Sequence, residues 1–216
     1  MSKQEAIKAG LKEAVVQLAE NVPGLSSLIE GIRTYQEDIQ EQQRQEFILT
    51  LDKKVSEVEN VLNKEWYKTS DGKEIANKIF SSALNSEYND KIDYFANAFI
   101  NSAQEFNQFQ RLKFIEVLKI VSKPALIVLS KEYELQNQRT INDTGEVNLP
   151  ALIKNLDMDP HLIESCVKEL YNIGVFSSVI EYSESGNKKS YFQSGTSAYT
   201  EFTERFIEFI RDPRIN

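Results

Sequence analysis

Helix breakers are almost missing from the middle of this chain. Between Gly31 and Asn142 the only glycine or proline residues are Gly72 and Pro124, and these residue types punctuate secondary structure rather than fill it. A stretch of that length, rich in Glu, Gln, Lys, Leu and Ala, is expected to form helices joined by few, well-marked turns. The chain has 216 residues, long for one domain and short for two. A large helical part carrying a small module is the simplest expectation.

Apolar spacing outlines the helices. Over residues 3–21, Ile7, Leu11, Ala14, Val15 and Leu18 fall at helical intervals, and Asn21-Val22-Pro23-Gly24 ends the pattern. A second pattern runs through Leu28, Ile32, Tyr35 and Ile39, crosses the polar tract 40–46, and resumes as Ile48, Leu51, Val55, Val58 and Leu62. Ile39 and Ile48 lie about 180° apart around a helix, so one long helix changes partner there or kinks. The polar tract reads as a solvated face.

Thr69-Ser70-Asp71-Gly72 forms a turn in which Ser70 or Asp71 caps the helix through Ile75, Ile79, Phe80 and Leu84. Ile92, Phe95, Ala96, Phe99 and Ile100 make an apolar stripe, followed by Phe106, Phe109, Leu112, Ile115, Leu118 and Ile120. The phenylalanines at 95, 99, 106 and 109, with Trp66 and Tyr67, are expected in the core. Ser122-Lys123-Pro124 reads as a cap and first-turn proline opening a helix through Leu126, Ile127, Leu129 and Leu135.

The character changes near residue 140, where Thr140-Ile141-Asn142-Asp143-Thr144-Gly145 is turn-rich. The expected organisation is a multi-helix bundle over residues 1–138 and a smaller α+β module over 139–216. Within the module a short helix covers 150–156. Asp159 caps a second helix over 160–172, and Gly174 stops it. Residues 175–182, a tip at 185–188 and residues 190–193 read as strand, hairpin and strand. A last helix starts near Ser197 and carries Phe202, Phe206, Ile207, Phe209 and Ile210.

Charge and chemistry narrow the function. The net charge of −8 and pI near 4.9 give no whole-molecule attraction to nucleic acid or an anionic membrane. One cysteine, Cys166, and one histidine, His161, leave little for a disulfide, a His/Cys metal site or His-based catalysis. Asp157-x-Asp159-x-His161 offers three possible metal ligands, but helix capping explains Asp159 and first-turn exposure explains His161. Cys166 falls on an apolar face and reads as a buried structural thiol. Phosphate-loop, paired-His zinc and nucleophile-elbow motifs are absent from the sequence. No catalytic, cofactor or metal residues are therefore expected. The N-terminal segment lacks the apolar core of a signal peptide, the longest aliphatic run covers only residues 125–129, and a cytoplasmic protein without a transmembrane segment is expected.

Helix, turn, helix, hairpin and closing helix are the parts of a winged-helix domain. The run LPALIKNLDMDPHLIESCVKELYNIGVFSSV resembles such domains, with Leu170, Gly174, Val175 and Phe176 matching a Leu-x-x-x-Gly-Val/Leu-Ile/Phe pattern. YTEFTERFIEFIRDP is similar to the closing helix of bacterial helical proteins carrying Thr-x-x-Gly-x-x-Phe. Thr200 and Phe206 match that pattern, and Thr203 replaces its glycine. Further upstream, YFANAFINSAQEFNQFQRLKFIEVLKIVSKPALIVLSKEY resembles the middle of bacterial abortive-infection alpha-type proteins, which pair such a segment with a C-terminal winged helix. The resemblance spans about residues 90–212 and implies a phage-defence setting.

A winged helix suggests DNA binding, but residues 148–216 hold seven Lys+Arg against ten Asp+Glu. The second helix presents Glu164, Lys168 and Glu169, with Asp159 at the end that would approach bases. Lys188 and Lys189 at the hairpin tip, with Lys168, are the candidate nucleic-acid contacts. The expected function is a non-enzymatic helical interaction module, an effector or adaptor acting on a protein partner or by self-assembly. The alternative is a winged-helix DNA-binding regulator, dimeric through its helical region.

Overall fold

A computed structural model of the chain describes residues 3–21, 38–58, 62–84, 90–138, 147–178, 197–198 and 200–214. It is mainly helical. In chain order the described elements are α1 (Lys3–Asn21), α2 (Asp38–Glu57), a 3-10 turn (Trp66–Lys68), α3 (Ser70–Ala83), α4 (Ile92–Asn101), α5 (Gln108–Ile120), α6 (Lys123–Asn137), α7 (Leu149–Asn155), α8 (Pro160–Asn172), β1 (Ser177–Ser178), β2 (Ser197–Ala198) and α9 (Glu201–Ile210). The chain forms two compact units, one of Met1–Lys119 with Phe209–Asn216 and one of Ile120–Glu208. The change of character read near residue 140 falls outside the described residues, as does the apolar pattern from Leu28 to Tyr35.

In the first unit α1 packs on α2, α2 on α4, and α3 on α4 and the 3-10 turn. Ile48, Leu51, Val55, Val58 and Leu62 are buried as their spacing requires, although α2 ends at Glu57. Phe47 meets Phe80 edge-on at 5.1 Å. Tyr67 stacks on Phe99 at 5.2 Å and donates its hydroxyl to the Phe99 carbonyl at 2.8 Å. The tract 40–46 is not wholly a solvated face, because Arg44 is buried.

The cap of α3 is Thr69, one residue before the two candidates read from sequence. Its Oγ1 accepts the Gly72 N–H at 3.0 Å and donates to the Trp66 carbonyl at 2.7 Å. The C-terminal residues of this unit are held by polar side chains. Asn97 donates to the Ile210 carbonyl at 3.0 Å, and Asn101 to those of Phe209 and Arg211 at 3.2 and 2.9 Å. These satisfy carbonyls that a helix end leaves without intrahelical partners. Nearby, the Arg214 guanidinium bonds Asp212 and Glu57, and Lys54 lies 3.4 Å from Asp212. The Arg214 hydrogen bonds hold the Asp212 carboxyl far below its ordinary range.

In the second unit Ser122 caps α6, Asn148 caps α7 and Asp159 caps α8, each followed by a proline in the first turn. Gly174 has φ +79°, a conformation costly for any residue with a Cβ. The Val175 and Phe176 N–H groups both turn back to the Leu170 carbonyl. The stop expected at this glycine is present, and its partner in the resemblance pattern, Leu170, is buried.

β1 pairs antiparallel with β2, Ser177 opposite Ala198 and Ser178 opposite Ser197. Ser197 therefore lies in a strand and the last helix begins at Glu201. The expected hairpin tip and its second strand at 190–193 lie outside the described residues. The hydroxyl of Thr203, at the position where the sequence pattern has glycine, is engaged in the fold. It is buried, donates to the Val175 carbonyl at 2.6 Å and accepts the Thr200 N–H.

Candidate interaction surface

The most conspicuous departure from the sequence reading is on α5. Phe109, expected in the core with Phe95, Phe99 and Phe106, is 85% exposed, while those three are buried. The expectation carried a stripe across a place where the helix is interrupted. The chain leaves α4 at Asn101, turns through 102–107, and starts a new helix at Gln108. Phe106 therefore sits before the helix, packed edge-on against Phe114 and Phe209, and the helical phase begins again after it. Within α5 the buried positions are Arg111, Phe114, Ile115, Val117 and Leu118. The opposite face carries Phe109, Lys113, Glu116 and Ile120, all exposed, the last by 61%.

Both ends of α5 are fixed. At its start the Gln110 N–H donates to Asn107 Oδ1 at 2.9 Å and the Asn107 N–H to Gln110 Oε1 at 3.0 Å, a reciprocal capping box. One turn in, Arg111 donates from Nε to the Ser102 carbonyl and from Nη2 to the Gln104 carbonyl, both at 2.8 Å. Its guanidinium lies 4.9 Å from the centre of the Trp66 ring, within the range of a cation–π contact. Burial pulls the Arg111 pKa down, which the charge of Asp71 partly opposes. At the other end Lys91 Nζ donates to the carbonyls of Leu118 and Lys119 at 2.7 and 2.8 Å, placing a buried cation at the negative end of the helix dipole. Buried Lys91 and Arg111 were not singled out in the sequence. Their apolar neighbours hide them in a hydrophobicity pattern, since long cationic side chains bury their stems.

The second unit contains the residues on which the charge argument against DNA rests. Asp159 Oδ1 accepts the His161 and Leu162 N–H groups, so this carboxylate is engaged as the α8 cap. Glu169 leans toward α6, where Oε2 accepts the Ser122 hydroxyl at 2.7 Å and Oε1 the Ser122 N–H. The outward face of α8 is left with His161, Ser165, Lys168 and Asn172 exposed and Glu164 half-buried at its side. Lys188 and Lys189 lie outside the described residues. Cys166 is buried, and burial followed by the nearby Glu169 charge pushes its thiol pKa up, which disfavours a nucleophile.

Among the described residues no group of three or more His, Cys, Asp or Glu side chains is placed to hold a metal ion. Nor is any described helix long and apolar enough to cross a membrane. The chain matches no protein-family model, and no curated protein or solved structure matches it.

Proposed function

We propose that the chain is a non-enzymatic helical interaction module, an effector or adaptor that works in the cytoplasm by binding a protein partner or by self-assembly. The observation that carries this reading is Phe109, a large aromatic side chain 85% exposed on a helix anchored at both ends. Aromatic side chains dominate the energetics of protein interfaces, and a helix backbone fixed before binding adds no ordering cost of its own when the side chain is covered. The resemblance of residues 90–212 to abortive-infection alpha-type proteins extends the proposal to a bacterial phage-defence setting.

A second reading, a winged-helix DNA-binding regulator, draws support from α8. Asp159 is occupied as the α8 cap and Glu169 with Ser122, and Lys168 is exposed on a polar outward face beside His161, Ser165 and Asn172. A duplex-DNA mobility-shift titration at low salt separates the two. The interaction reading expects only weak binding that is unchanged by Lys168→Glu or by Lys188→Glu with Lys189→Glu. Tight, salt-sensitive binding lost in those variants would overturn it.

A further inference from the structure

We infer that the outward face of α5 is a self-pairing surface whose occupant is the same helix of a second copy, running antiparallel. The inference rests on the interaction reading and commits it to one partner. Phe109, Lys113, Glu116 and Ile120 follow one another at intervals of four, three and four residues. At about 100° per residue they fall within an arc of about 60° on one side of the helix. This is the spacing of a coiled-coil seam, and all four positions are fixed by the one helix that carries them.

The order of residue types along the seam selects the partner. A twofold axis crossing α5 midway between Phe114 and Ile115 relates 109 to 120 and 113 to 116. In an antiparallel pair Phe109 of each copy then meets Ile120 of the other, and Lys113 meets Glu116. Apolar groups cover apolar groups at both ends, and opposite charges meet twice at the centre. That is the self-complementarity a twofold interface demands, since the same patch must serve both sides. A parallel pair would set Lys113 against Lys113 and Glu116 against Glu116, so charge also selects the direction. Glu116 already pairs with Lys119 of its own helix at 3.0 Å and would be shared between that residue and the second copy's Lys113.

A contact of three turns is smaller than the roughly 1,000 Å² of a strong interface, so the pairing is concentration-dependent. Sedimentation velocity of the full chain from about 1 µM to about 500 µM, a span suited to weak association, should show a monomer passing to a dimer. Lys113→Glu and Glu116→Lys alone each place like charges together at two symmetric points and should weaken the dimer about tenfold. The double variant Lys113→Glu/Glu116→Lys restores opposite charges and should return within about threefold of the original affinity. All four positions are exposed, and circular dichroism confirms that each variant keeps its helix content. A chain that stays monomeric throughout, single variants that associate like the original, or a double variant that does not recover would each overturn the proposal. None of these results bears on DNA binding, so failure of the self-pairing and failure of the interaction reading are told apart by the mobility-shift titration.

Discussion

Replacing Gly72 by alanine sets two physical effects against each other. Gly72 lies in the first turn of α3, where alanine is the better helix former by about 1 kcal/mol. Propensity alone therefore predicts stabilisation. A Cβ built on Gly72 would lie 2.1 Å from the Trp66 carbonyl oxygen, 2.9 Å from its carbon and 3.0 Å from Tyr67 Cα. These are backbone atoms, which cannot swing aside as a side chain can. Restoring ordinary contact requires a shift of roughly 1 Å or more in the 3-10 turn. That turn is held by the stacking of Tyr67 on Phe99 and by the Thr69 hydroxyl on the same Trp66 carbonyl. Overpacking costs about 1–3 kcal/mol and a weakened aromatic pair about 0.5–1.5. After the propensity gain the net loss is roughly 0.5–3.5 kcal/mol. Trp66 is the one tryptophan of the chain, so its fluorescence during urea unfolding reports both the stability and the local distortion. A Gly72→Ala chain as stable as the original or more so, with unchanged emission, would refute the close approach of these two segments.

Other perturbations test other joints. Asn101→Ala removes the donor that serves the Phe209 and Arg211 carbonyls and should cost roughly 1–3 kcal/mol by urea unfolding; a change below about 0.5 kcal/mol would contradict that role. Glu169→Gln weakens the carboxylate contacts to Ser122 and should cost about 1 kcal/mol, whereas no loss would mean that Glu169 is not engaged there. Burial first, and Glu13 second, raise the Asp52 carboxyl above its ordinary value of 3.8. The folded chain then binds that proton more tightly than the unfolded one. The penalty is absent below 3.8, grows as pH rises through the folded value, and is complete at neutral pH. Asp52→Asn should thus stabilise the fold slightly at pH 7, with the gain fading as pH falls through the folded value. A stability curve that loses more in the variant at pH 7 would show the sign to be wrong.

Legibility from sequence follows the kind of physics involved. Local rules succeed at Ser122-Lys123-Pro124, Asp159-Pro160 and Gly174, because caps, first-turn prolines and left-handed stops depend on neighbouring residues alone. They slip by one residue at Thr69, where three successive residues can each cap and only the one whose side chain accepts the Gly72 N–H does so. Helical phase fails wherever a helix is interrupted without a glycine or proline. The turn at 102–107 is written in Ser, Ala, Gln, Glu, Phe and Asn and is locked by Arg111. Apolar spacing runs through it unbroken and misplaces Phe109 and Ile120. Asn97 and Asn101 belong to a third kind. Nothing near them in the chain signals that they donate to carbonyls more than a hundred residues away. The acidity of α8 was legible as composition and the Asp159 cap as a local rule, but the engagement of Glu169 with Ser122 depends on a residue 47 positions away.

The pairing of α5 with its copy is tested most directly by disulfide trapping on a Cys166→Ala background. One preparation carries Phe109→Cys and a second carries Ile120→Cys. Within one copy the two positions are eleven residues apart on a helix, about 16 Å, too far for a disulfide to bridge. Under mild oxidation the antiparallel register predicts a cross-linked dimer when the two preparations are mixed and little or none when either is oxidised alone. Equal cross-linking in the separate preparations, or none in the mixture at concentrations where the original chain associates, would contradict it.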